Sequence, residues 1–294
     1  MGGKVALQLR TREPWAEMAG MMHRAGFRYV SIAFGDDEDN LTSDNWREYV
    51  ENIGRVLKQN ELKCVMTHAP YYSLLISAEK REEKMELAML RAVEATKILG
   101  AEICAVHPRS VLLPGVPALE VTDRARSLEE NLIAFAPLVE ACERLGVKLG
   151  VENLMKYVTN PSLPPFYSYL VEDHIELIDK LNSESVCGVW DFGHANLCDE
   201  DHAERIRRIG GRIMGTHVHN NDAINDNHYP PFYPDASSYY VRRSIDWRAV
   251  MTALKDTGFD GYLTLETVFH FDFATEALVK YLYESVCALD DMVR

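Results

Sequence analysis

The densest run of ligand-type side chains in the 294-residue sequence is THVHNNDAINDNH, Thr216–His228, with three histidines and two aspartates. Val218 separates His217 from His219, so on a β-strand both imidazoles point to one side, while Asp226 and His228 fall on the loop beyond. Neutral imidazole combined with carboxylate suits a divalent metal ion, Mn²⁺ or Zn²⁺ first and Mg²⁺ or Co²⁺ after them. Two buried, hydrogen-bonded histidines in a polar loop would explain the His-x-His pair equally well. The weight therefore rests on the rest of the chain, where other apolar runs end in the same chemistry.

His68, His107, Glu152, Asp191 and Glu266 each close such a run. Glu152, Asp191, His219 and Glu266 would give one cation three carboxylates and an imidazole, with room left for two substrate oxygens. An α-hydroxy carbonyl chelated there would be polarised and its enediolate stabilised, with one glutamate removing a proton and the other returning it. His68 and His107 could share Glu152 around a second ion. His194, three residues after Asp191, could hold substrate, support a ligand or bind a further ion, and Asp226 with His228 could form a third metal site or a solvated pair. His194, His217, Arg109, Lys156 and Arg242 are the substrate-binding candidates, the three cations because they lie in loops where a phosphate or carboxylate could arrive. No phosphate-binding glycine loop, nucleophile elbow or dinucleotide fingerprint is present.

These residues must be positioned by the elements that precede them. β-rich runs at Lys4–Leu9, Phe27–Phe34, Leu62–Thr67, Ala101–Val106, Val147–Val151, Ser185–Trp190, Arg212–Val218 and Gly261–Leu265 alternate with helical patterns. The helices are expected near Pro14–Ala25, Asp44–Gln59, Glu79–Leu99, Asp123–Leu145 with a kink or break at Pro137, His174–Leu181, Asp201–Ile209, Asp246–Thr257 and Ala274–Val293. An acidic loop, Gly35–Asn40, follows the second strand. Eight strand-then-helix units without a linker specify an α/β fold, a single (β/α)₈ TIM barrel over residues 1–294, whose active site lies at the C-terminal ends of the strands.

Composition sets the outer limits. Lys plus Arg number 31 against 45 Asp plus Glu, a net charge of −14 that disfavours nucleic acid as a partner. The six cysteines show no Cys-x-x-Cys pairing, and free thiols in a reducing compartment are expected. The N-terminal MGGKVALQLR lacks a sustained apolar core, and no run reaches the length of a membrane span, so no membrane partner and a cytoplasmic location are expected. A homo-oligomer is compatible with the sequence.

THAPY at His68, VHP at His107, GVEN at Glu152, WDFGHAN at Asp191, HVHNND at His219, DNHYPP after it, SIDW at Asp246 and GYLTLE at Glu266 together resemble the xylose isomerase-like barrels, in particular the sugar phosphate isomerase/epimerase group. The resemblance spans nearly the whole chain. It implies that Glu152, Asp191, His219 and Glu266 are a metal quartet, that Glu152 and Glu266 are the proton-transfer pair, and that His194 contacts substrate. The activity it implies is a metal-dependent isomerase or epimerase of a sugar or sugar phosphate. A metal-dependent dehydratase or lyase on a polyol or keto acid is the nearest alternative. Endonuclease IV, a trinuclear zinc phosphodiesterase, is also similar at His68, His107, Glu152, Asp191, His194, His219, Asp226, His228 and Glu266. In this chain, however, the segment between His219 and Asp226 is shorter, Asp226-Asn227-His228 stands where that family has aspartate, arginine, histidine, and the net charge is acidic. A non-catalytic sugar-binding protein is the remaining reading.

Overall fold

Eight parallel strands, Val5–Arg10, Tyr29–Ala33, Lys63–His68, Ile103–Val106, Lys148–Glu152, Val186–Asp191, Ile213–Val218 and Leu263–Leu265, pair in chain order, and the eighth returns to the first to close a barrel. The computed structural model describes residues 3–11, 14–35, 38–71, 75–76, 83–113, 122–156, 164–233, 242–267 and 275–294. The main helices between strands are Trp15–Ala25, Trp46–Gln59, Glu83–Ile98, Arg124–Leu145, Val171–Leu181, His202–Ile209 and Trp247–Asp256, and Glu276–Val293 ends the chain. The expected (β/α)₈ architecture is therefore the observed one.

Local chemistry sets where these helices begin and end. Asp123, Asp201, Asp246 and Thr275 each accept a hydrogen bond from a backbone N–H in the first turn of the helix they precede, a cap that contributes about 1 kcal/mol. Gly146, left-handed at φ 66°, releases the Arg124–Leu145 helix directly into the fifth strand.

Several expectations are corrected. The Arg124–Leu145 helix runs through Pro137 without a break. The N–H that proline lacks would have served Ile133, a 45% exposed residue on the wet face, where water replaces the donor. The acidic stretch after the second strand carries a short helix, Glu38–Thr42, instead of being loop throughout, with 36–37 outside the described residues. The first strand extends one residue further, to Arg10, and the third takes in His68. The second is confined to Tyr29–Ala33, and the helix expected from His174 begins at Val171. Leu75–Ile76 and Ser110–Val111 form an additional parallel pair beyond the barrel. The expected helix starts at Glu79 and Ala274 lie outside the described residues.

Alternation along the strands separates two interiors. Leu7, Leu9, Val30, Ile32, Cys104, Val106, Leu149, Val151, Trp190 and Leu265 face outward into the core shared with the helices. Met66, Ile103, Ala105, Cys187 and Val189 form a smaller cluster that plugs the barrel. The residues of the same inward set at the C-terminal ends of the strands are polar and sit directly above that plug.

All six cysteines are free, and five of them are buried. Among the described residues no helix is long and apolar enough to cross a membrane.

The plug is tightest at Gly150, where a methyl group would lie 2.6 Å from Val189 Cγ2 and 2.7 Å from Ile103 Cγ2. Gly150→Ala should therefore destabilise the barrel by about 1–3 kcal/mol through overpacking, read as a lower urea midpoint at unchanged m-value. An unaltered midpoint would mean that the plug has slack the packing does not show.

Candidate metal centre

The inward alternation brings Glu152, Asp191, His217 and Glu266, from strands five to eight, into one buried group whose ligand atoms all lie within 4.8 Å of one another. His217 Nδ1 is 3.0 Å from Glu152 Oε2 and 3.1 Å from Glu266 Oε2. The sequence pattern puts His219 in this quartet; by distance between ligand atoms it is His217 that groups with the three carboxylates. His219 lies one rung higher, with its Nε2 3.0 Å from Asp191 Oδ1. Its ring joins a second group with His194, Asp226 and His228, and it stacks on His228 at 3.9 Å with the planes 5° apart. A third group is His68, Glu152 and His217, with His107 Nε2 beside it at 3.4 Å from Glu152 Oε2.

Backbone carbonyls fix several of the imidazoles. His68 Nδ1–H donates to Ala69 O at 2.7 Å, His194 Nδ1–H to Asn153 O at 2.9 Å, and His228 Nδ1–H to Glu266 O at 2.8 Å. This assignment leaves Nε2 of each ring facing the cluster, the way a metal-ligating histidine is held by its outer hydrogen bond. The Asp191 backbone N–H donates to Asn153 Oδ1, and the Asp191 carboxylate accepts from the His194 backbone N–H, so the fifth and sixth strand ends are tied together. At Gly193 a side chain would overlap the His219 ring, so the absence of a Cβ makes room for it. Sequence reasoning missed Asn153 in this role although it is visible in GVEN. It also missed Tyr71 of THAPY, whose hydroxyl donates to Glu266 Oε1 at 3.4 Å.

The cation candidates divide differently. Arg109 is held at its backbone by Asn131 and lines a cavity between the Glu83–Ile98 and Arg124–Leu145 helices with Met89, Phe135 and Leu138. Arg242 is paired with Asp199 at 2.7 Å, and Lys156 adds its charge near the same aspartate. Arg242 and Lys156 thus gather at Asp199, which belongs to none of the histidine and carboxylate groups. His174 is buried and His202 half-buried beside Trp190, His174 Nε2–H donating to Val151 O at 2.8 Å and His202 Nε2 accepting from the Trp190 indole N–H, while His23 sits near Glu61 at the surface. His270 lies outside the described residues.

Burial alone would raise the pKa of Glu152, but His217 and His107 hold it well below the usual carboxylate range. Glu266, opposed by the same burial, is held at about 2 by His217 and His228. In return, although burial would lower both, His217 rises to about 9 beside Glu152 and Glu266, and His228 to about 10 beside Asp226. Protons thus occupy places where cations would be favoured. Geometry supports that fit, because Glu152 Oε1, both His217 nitrogens, His219 Nδ1 and Asp226 Oδ1 are buried without a hydrogen-bond partner. Nitrogen and oxygen donors that converge without aligned hydrogen bonds are what divalent Mn²⁺ or Zn²⁺ would satisfy.

A family described as xylose isomerase-like TIM barrel matches residues 21–283. The chain belongs to that family. The chain is 26% identical over 206 residues to the uncharacterized protein MJ1311 of Methanocaldococcus jannaschii, a match covering 69% of this chain and 64% of that one. It is 27% identical over 196 residues to the uncharacterized protein y4fM of Sinorhizobium fredii, covering 64% and 54%. The chain thus spans less than two thirds of the length of either relative. Among solved structures it resembles a D-tagatose 3-epimerase-like protein (TM-score 0.70, 20% identity, 98% and 99% coverage) and a D-psicose 3-epimerase in the presence of D-fructose (0.71, 13%, 98% and 98%). It also resembles an AP endonuclease, family 2, from Brucella melitensis (0.64, 18%, 90% and 93%). These likenesses carry the barrel fold of the family.

The proton–carboxylate pairs make a pH prediction for metal-free protein. The His217 and His228 values lie above the ordinary value of about 6.5, so their protonated rings stabilise the fold fully below that pH. That contribution is lost as pH rises through about 9 and about 10. The melting temperature of EDTA-stripped protein should fall across this window, and that of manganese-loaded protein should fall much less because its imidazoles are already deprotonated. Equal pH profiles with and without metal would refute the pairing of protons and metal at these sites.

Proposed function

We propose that the protein is a divalent-metal-dependent isomerase or epimerase of a small carbohydrate. The observation that carries this reading is the placement of Glu152 and Glu266 on either side of His217, both carboxylates within 3.1 Å of one ring nitrogen at the mouth of the barrel. Glu152, Asp191, His217 and Glu266 would hold the cation, which when bound polarises the substrate carbonyl. Glu152 and Glu266 are 0% and 6% exposed, so each would work in a site from which water is largely excluded. Held below the usual carboxylate range, both are ionised at neutral pH and able to accept a proton. One glutamate removes the proton next to the carbonyl; for epimerisation the other, after taking a proton from solvent or a substrate hydroxyl, delivers it to the opposite face of that carbon, and for isomerisation the proton is delivered to the neighbouring carbon instead. Tyr71, its pKa raised well above the usual value by burial and by Glu266, stays protonated and donates to the Glu266 carboxylate, fixing its orientation.

Glu152→Gln and Glu266→Gln should each reduce incorporation of solvent deuterium into a ketose, at the carbon next to the carbonyl, by about 10²–10⁴-fold, the usual size of a general-base contribution. Circular dichroism should show both variants folded. Exchange at the wild-type rate in both would remove the two glutamates from proton transfer.

A second reading has its own observation. The three groups together contain His68, Glu152, Asp191, His194, His217, His219, Asp226, His228 and Glu266, enough donors for more than one cation and so for metal-cluster phosphodiester hydrolysis. Gripping a duplex requires several Lys or Arg contacts to phosphate, whereas the net charge is −14 and Arg242, one of the loop cations, is committed to Asp199. Zinc- or manganese-loaded protein should therefore neither nick nor retard an abasic-site duplex at physiological salt. Metal-dependent incision abolished by His219→Ala would reverse the order of the two readings.

A further inference from the structure

The first barrel strand contributes nothing to the histidine and carboxylate groups, yet it lies directly against the eighth strand, which delivers Glu266. Val5, Leu7 and Leu9 belong to the outer core under the helices, so Ala6, Gln8 and Arg10 face the interior. Gln8 is 9% exposed, and its amide nitrogen has no hydrogen-bond partner. Ser31, its register partner on the second strand, is fully buried with an unpartnered hydroxyl. One inward position above Gln8, the Arg10 guanidinium lies over the Tyr71 ring with Cζ 5.7 Å from the centroid, and the Tyr71 hydroxyl reaches Glu266 Oε1. The His107 ring also stacks on Tyr71, nearly parallel at 19° and 5.7 Å. Arg10 is thereby anchored at the rim of the site, beside one of the two proton-transfer glutamates.

These groups differ in kind from the rest of the mouth. Around the metal groups the side chains are carboxylates and imidazoles, which select cations and polarise a carbonyl. The first strand instead offers a neutral amide donor low in the barrel and a guanidinium above it. A buried amide N–H without a partner carries an unmet desolvation cost, which a ligand oxygen removes. A guanidinium presents paired N–H donors matched to the two oxygens of a carboxylate or phosphate.

We propose that Gln8 and Arg10 form a substrate subsite, Gln8 donating to a sugar hydroxyl and Arg10 binding a terminal oxyanion, so that the substrate is an acidic sugar carrying a carboxylate or a phosphate. This deepens the isomerase reading and rests on it for the position of the reacting carbons. The three cations picked out by sequence do not serve this role, because Arg109 lies between two helices and Arg242 and Lys156 lie around Asp199.

The test is calorimetric binding of D-fructose, D-fructose 6-phosphate and D-fructuronate to manganese-loaded protein, paired with solvent deuterium uptake into the same sugars. At least one of the two anionic sugars should bind about 10-fold or more tighter than D-fructose, the size of one charge-assisted hydrogen-bonded contact. Which anion wins separates the phosphate source from the carboxylate source. Arg10→Met should abolish the preference, Arg10→Lys should restore part of it, and Arg242→Met should leave it at the wild-type ratio. Gln8→Leu should weaken all three sugars by a similar factor. Equal affinity for the neutral and anionic sugars, no binding of either anion, or a preference that survives Arg10→Met would overturn the proposal. Anion-selective binding without deuterium uptake would uphold the subsite and defeat the isomerase reading. Deuterium uptake with no charge preference would do the reverse.

Discussion

The structure is organised around the cost of burying the Glu152 carboxylate. It is 0% exposed, at the end of a strand whose outward neighbours are packed under helices, and an isolated carboxylate there would be untenable. What makes the position viable is that His68, His107, His194 and His217 all bring a ring nitrogen within 3.4 Å of its two oxygens. Those rings come from four other strands or the turns after them, so the compensation exists only once the barrel has closed. Removing one partner would leave charge buried, while removing all of them together would cost far less, the asymmetry expected of buried ion pairs. Such a cluster is weak evidence for stability and better evidence for a site. The apolar plug beneath it, Met66, Ile103, Ala105, Cys187 and Val189, seals it from below and keeps the local dielectric low.

Small residues are the structural counterpart of that crowding. Gly150 and Gly215 lie in the inward layer below Glu152 and His217, where side chains from neighbouring strands already fill the space. Gly193 sits in the turn after Asp191 and is the reason the His219 ring can lie against Asp191 at all. The Asp191 carboxylate both caps the short Phe192–Asn196 helix and meets His219, so the turn that positions His194 and the ligand chemistry of Asp191 are one piece of geometry.

Much of this was legible from residue types because the signals are periodic. Apolar runs ending in His68, His107, Glu152, Asp191 and Glu266 require the inward parity that the structure shows, and a closed parallel barrel necessarily gathers them. The exchange of His217 for His219 was not legible. Both have the same parity, and which one lies level with Glu152 depends on the stagger between strands, including the register shift at Gly188/Val189 against the seventh strand. Stagger is a property of barrel closure and is not encoded in any local stretch. Loop cations were unreadable for a related reason. Arg109, Lys156 and Arg242 do follow strand ends, but a loop has no period to say where a side chain points, and each turns toward a helix or an aspartate. Arg10 was overlooked because the sequence pattern ends the first strand at Leu9. One more residue of strand converts a loop charge into an inward-facing one.

Charge balance links the number of cations to the kind of substrate. Glu152, Asp191, Asp226 and Glu266 together carry more negative charge than one divalent ion can neutralise, and in metal-free protein raised values at His194, His217 and His228 supply protons in its place. Each ion bound displaces protons, and because Glu152 and His217 serve more than one group, each makes the site less attractive to the next. With one ion at the quartet and His194 and His228 still protonated, the four carboxylates are balanced and the mouth has no surplus of positive charge, which suits a polyhydroxylated substrate gripped by neutral donors and draws in an anionic tail only where a separate cation receives it. Arg10, on the first strand and away from the His194 and Asp226 group, meets that requirement. With every group filled, the sign at the mouth would reverse and a phosphodiester could be drawn in without help from the rim. Metal stoichiometry and Arg10 are therefore two measures of the same field, and an enzyme that relies on the arginine is one that works with its outer histidine group empty of metal.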